Sequence, residues 1–126
     1  MRKLITVILL ALTMSLSITA IADEHSTLRL VRVQTHDLGG YVAKLSEGKK
    51  LIAVANDKFT LRAWRATLAG EDTGSVIVAV EYPGSFGEFA MAWDKLIADP
   101  AVRDWLHGFG GLRTIVSESL YNELPL

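Results

Sequence analysis

Ser75–Tyr82 (SVIVAVEY) restricts the fold of this chain more than any other stretch. In an extended segment Val76, Val78 and Val80 share one face with Tyr82, while Ile77 and Ala79 occupy the other. A strand with one solvated face alternates apolar and polar residues, whereas a continuous apolar run requires burial on both sides. Pro83-Gly84 stops the run. Any architecture built on this strand must therefore cover both faces of its sheet.

The flanking segments supply that sheet. Thr27–Thr35 (TLRLVRVQT) is β-rich, with Val31, Val33 and Thr35 on one face and Arg32, Gln34 and His36 on the other. Asp37 is placed to cap a helix over about Leu38–Ala55, in which Leu38, Val42, Leu45 and Ile52 recur at helical spacing. Gly39, Gly40 and Gly48 weaken that helix. Phe59–Leu68 reads as a second strand, and Ala69 to Gly74 as the turn before the third. Ser85 and Glu88 have capping-box spacing, and Phe89, Ala92, Trp93, Leu96 and Ile97 follow on one helical stripe. Asp99-Pro100 restarts the helix, Val102, Trp105 and Leu106 continue its apolar side, and Gly108 ends it. Arg113–Tyr121 (RTIVSESLY) is the fourth strand.

The order β-α-β-β-α-β predicts an α+β, ferredoxin-like domain, a four-stranded antiparallel sheet with two helices on one face. The second face is left open, yet the third strand is apolar there too. A second copy of the same sheet is the simplest cover, giving a homodimer through the open face and a dimeric α+β barrel.

The amino terminus has a different character. Arg2 and Lys3 precede an apolar stretch, and Ala20-Ile21-Ala22 places small residues at alternate sites. This pattern predicts a secretory signal peptide over residues 1–22, cut after Ala22, and a periplasmic or secreted domain over residues 23–126. The alternative is an uncleaved anchor, the only route by which the sequence suggests a membrane attachment. Of the chain's 13 basic and 14 acidic side chains, only Arg2 and Lys3 lie in this leader, so the remainder carries a net charge of −3. That mild acidity argues against nucleic acid as a partner. The chain has no cysteine, which excludes thiol catalysis, iron–sulfur clusters and zinc–thiolate sites. No phosphate-binding glycine loop, Gly-x-Ser-x-Gly elbow or paired-histidine zinc motif is present. If cleavage follows Ala22, the new terminus Asp23-Glu24-His25 has the third-position histidine of a square-planar Cu(II) or Ni(II) site, the alternative being an ordinary tail. No other metal or cofactor is expected.

Arg65-Ala66-Thr67-Leu68-Ala69-Gly70, Thr73-Gly74, Val80-Glu81-Tyr82-Pro83, Asp99-Pro100 with Trp105, and Val116-Ser117-Glu118-Ser119-Leu120 together resemble NIPSNAP-like members of the dimeric α+β barrel superfamily. The resemblance runs from about Leu28 to Leu124. It implies the fold and the dimer more than a reaction. Its relatives include cofactor-free antibiotic-biosynthesis monooxygenases, haem-degrading monooxygenases and small domains without an assigned activity. The haem degraders combine an Asn, a Trp and a helix-borne His. Here Trp64 and His107 match in type only, and the first strand offers Gln34 in place of Asn, so that set is not carried over.

Catalytic residues are unknown from the sequence. The candidate ligand-binding residues are Arg32, Gln34, His36, Arg62 and Trp64, which would line the barrel if their faces turn inward. Arginine would serve as a fixed donor, histidine as a base and tryptophan as an aromatic wall. In the competing reading Arg32 and Arg62 pair with Glu81 or Glu118 at the dimer interface, and Trp64 is core. His107 reads as a helix-terminal cap, and Trp93 and Trp105 as packing anchors. The expected function is binding of a small apolar or aromatic ligand, or a structural role. The alternative is a cofactor-independent monooxygenase acting on an aromatic or quinone-like substrate, with His36, Arg62 and Trp64 as base, oxyanion partner and wall.

Overall fold

The computed structural model describes residues 25–126. The leader and its cleavage point lie outside the described residues, as do Asp23 and Glu24 of the suggested metal site. Strand β1 (Thr27–Gln34) leads into helix α1 (Leu38–Ala55), and β2 (Thr60–Arg65) and β3 (Val76–Tyr82) form a hairpin. Helices α2 (Phe86–Ala98) and α3 (Pro100–His107) then precede β4 (Thr114–Asn122). All strand pairs are antiparallel and the order is β2-β3-β1-β4, the ferredoxin-like arrangement.

Local chemistry sets the helix boundaries. The Asp37 carboxylate accepts the Gly40 N–H at 3.0 Å. Ser85 accepts the Glu88 N–H at 3.2 Å, and Asp99 accepts from both Ala101 and Val102 ahead of Pro100. Each cap satisfies amides that the first helical turn leaves without partners. Because Asp99 caps α3 in extended conformation, the second helical region is two helices with a break between them.

Helix α1 keeps its expected bounds but turns a different side inward. Tyr41, Leu45, Gly48 and Ile52 are buried, whereas Val42 is 49% exposed. The spacing from Leu38 through Tyr41, Leu45, Gly48 and Ile52 is a three-four repeat, which places Val42 about 80° from the centre of the buried stripe. Strand β2 is shorter than its β-rich sequence suggests. Phe59 precedes the strand and packs against Tyr82, Phe89 and Trp93 with ring centroids 4.9, 6.0 and 6.2 Å away.

The register divides the sheet residues between two faces. Val31, Val33, Val76, Val78 and Val80 lie under the helices and form the floor of the core. Leu28, Leu30 and Arg32 on β1 pair with Glu81, Ala79 and Ile77 on the opposite, helix-free face. Arg62 and Trp64 of β2 join them there, facing Ala79 and Ile77. Both sides of β3 are thus apolar, as its sequence requires. Along the outer strand, Ser117 pairs with Arg32 and Ile115 with Val33, so Val116 is the extra residue of a bulge. No helix among the described residues is long and apolar enough to cross a membrane.

Candidate functional site

Where the helices cross the sheet they do not fill the space beneath them. A cavity of about 470 Å³ lies between the layers, within the range typical of small-molecule sites. Val31, Leu61, Val78 and Val80 make its sheet side. Trp93 and Ile97 of α2, with Trp105 and Leu106 of α3, make its helical side.

The two tryptophans are held by different contacts. Trp105 is buried, its indole N–H donates to the Lys44 carbonyl at 2.7 Å, and its ring lies against Gly48. A Cβ at position 48 would stand 2.0 Å from that ring, so only glycine permits the approach. Trp93 stacks on Phe89, with centroids 5.9 Å apart and planes 13° from parallel. The Arg29 guanidinium lies over the Trp93 ring, 4.9 Å from its centroid.

The polar part of the lining is basic. Arg29, Arg103, His107 and Arg113 reach the cavity, and no aspartate or glutamate is among the described lining residues. Arg29 also donates to Glu118 at 2.8 Å. Arg113 stacks on Phe109 at 3.8 Å from the ring centroid. Among the described residues, Arg103 approaches only its neighbour Asp104, at 3.9 Å on an exposed surface where ion pairing is weak.

The residues singled out from the sequence lie elsewhere. Arg32, Gln34, Arg62 and Trp64 belong to the helix-free face, and His36 is exposed in a bend beyond the end of β1. Arg62 donates to Glu81 at 2.8 Å and its guanidinium stands 5.6 Å from the Trp64 ring centroid, so these three residues do form a cluster. Arg32 instead pairs with Asp72 at 3.3 Å. A groove of about 400 Å³ on this face is lined by Leu28, Leu30, Arg62, Trp64 and Tyr121 among others, but not by Arg32, Gln34 or His36. Trp64 is 50% exposed in the protomer, and the sheet separates it from His107. Arg29 carried the missed signal: it is a charged residue in phase with Val31 and Val33 on the core-facing side of β1. A charge on an apolar face needs a partner or a function. Arg103 and Arg113 give no comparable periodic signal.

No protein-family model and no curated protein matches the sequence. Solved structures do. A NIPSNAP family protein of unknown function from Agrobacterium tumefaciens superposes with a TM-score of 0.61 at 14% identity, covering 82% of this chain and 89% of that one. The chain shares the NIPSNAP fold. A second NIPSNAP family protein from the same organism gives a TM-score of 0.61 at 18% identity, covering 81% of this chain and 85% of its own. SnoaB, a cofactor-independent oxygenase from Streptomyces nogalater, gives 0.56 at 14% identity, covering 78% of this chain and 91% of its own.

Proposed function

We propose that the protein is an exported homodimer in which each protomer holds a small apolar or aromatic ligand between sheet and helices. The observation that carries this reading is the 470 Å³ cavity, apolar on both walls and edged by arginine and histidine. Such a pairing of apolar surface with a few placed polar groups is what small-molecule sites have in common. The helix-free face supports the dimer, because Leu28, Leu30 and Ile77 lie together on the middle strands of an otherwise uncovered sheet. The Arg62–Glu81 pair would then be part of the interface, as its sequence alternative holds. Export rests on the leader pattern of residues 1–22.

Purification from the native host followed by solvent extraction and mass spectrometry tests the ligand. A small molecule is expected to accompany the wild-type protein and to be absent from Ile97→Trp, which places an indole in the cavity. Recovery of the same compound from both proteins, with Ile97→Trp folded by circular dichroism, would move the ligand to another surface.

His107 favours a second reading, a cofactor-independent monooxygenase. It is the one group among the described lining residues suited to act as a general base. By taking a proton from a hydroquinone it would leave an electron-rich anion able to reduce oxygen. On this reading His107→Ala lowers oxygen uptake with hydroquinones by roughly 10²–10⁴-fold. His36→Ala, Arg62→Ala and Trp64→Ala, all outside the cavity, leave uptake unchanged.

A further inference from the structure

We infer that the ligand is an anion, an aromatic or alicyclic acid whose rings occupy the apolar cavity and whose carboxylate meets Arg113 and Arg103. This rests on the cavity being the binding site. Among the described residues, three arginines reach a cavity with no acidic lining residue, and only Arg29 is matched by a well-formed ion pair, with Glu118. Arg113 makes no ion pair among the described residues. Its ring contact with Phe109 holds the guanidinium in place without neutralising its charge. Arg103 is half-exposed, and its contact with Asp104 is long, so it can turn toward a ligand at small cost.

A neutral ligand would leave this positive charge facing an apolar volume. A carboxylate would take it up through charge-assisted hydrogen bonds, for which a planar guanidinium fork has the matching geometry. The domain as a whole is mildly acidic, so the cavity's positive character is local and opposes the net charge. Trp93 and Trp105 offer ring faces and edges to an aromatic skeleton lying between them.

Matched acid–amide pairs built on naphthalene and anthracene test the inference, with binding followed by quenching of indole fluorescence. In the wild-type protein the acid of at least one pair is expected to bind about tenfold or more tightly than its amide. Replacing both arginines, Arg103→Gln with Arg113→Gln, should lower acid affinity to that of the amide and leave amide binding unchanged. Equal affinities for acid and amide in the wild type would overturn the anion inference while leaving the cavity as a binding site. Parallel loss of acid and amide in the double variant would also overturn it, since the arginines would then be shaping the wall. If none of the four compounds binds, both the inference and the proposed cavity function fall.

Discussion

Replacing Trp105 with alanine is expected to lower the free energy of unfolding by about 3–5 kcal/mol. The indole is buried between α1 and α3, meets Phe109 with ring centroids 5.1 Å apart, and donates to the Lys44 carbonyl. Its removal opens a void continuous with the existing cavity and takes a donor from a backbone carbonyl on α1. Urea unfolding followed by circular dichroism should show a lower midpoint at unchanged slope. A loss below about 1 kcal/mol would mean that the helices close over the gap, since such costs depend on how far a site can collapse. Gly48 provides a sharper internal control. With Trp105 present, Gly48→Ala drives a methyl into the ring and is expected to destabilise by about 1–3 kcal/mol. In the Trp105→Ala background the same change no longer meets the ring and should stabilise the helix by about 0.5–1 kcal/mol. The reversal of sign is what isolates the contact.

The second large effect concerns assembly. Leu30→Glu is expected to convert a dimer to a monomer, halving the mass measured by light scattering at micromolar concentration. Leu30 is only partly buried in the protomer, on the helix-free face opposite Ala79, so a carboxylate there is tolerable in a single chain. In a two-fold interface the same residue appears twice, and each ionised carboxylate would lose water without gaining a partner. Glu81, on the same face and already engaged by Arg62, adds to the repulsion. Val54→Glu, at an exposed position of α1, should leave the mass of two chains intact. A wild-type protein that is monomeric under these conditions, or a Leu30→Glu protein that stays dimeric, would remove the sheet-to-sheet dimer.

Much of the fold was legible because its signals are local. The caps at Asp37, Ser85 and Asp99 act within three residues, and the alternation in β1 and β3 states which side chains share a face. The inward side of α1 was less legible. Gly48 interrupts its apolar stripe, and two competing phases, one through Tyr41 and one through Val42, fit the remaining positions. Only the partner decides between them, because Trp105 needs a glycine opposite it. The sequence candidates fall on the side of the sheet away from the cavity for a related reason. Polar residues on one face of a strand mark that face as distinctive, but they do not say where the layers fail to close. The cavity lies between the sheet and two helices whose Trp93 and Trp105 help line it. Periodicity carries no information about such a gap.

The alternation of β1 has a consequence for how this protein can change. Arg29 and Val31 reach the cavity while Leu28 and Leu30 lie on the reverse face, so adjacent codons serve opposite sides of the sheet. On the proposed reading, substitution at the odd positions would retune what is held while leaving assembly alone, and substitution at the even positions would retune assembly in the same independent way. Loss or gain of a single residue within the strand is a different event. It would exchange the two sets at once, sending leucines inward and an arginine to the reverse face, so this strand tolerates replacement far better than it tolerates a change in length.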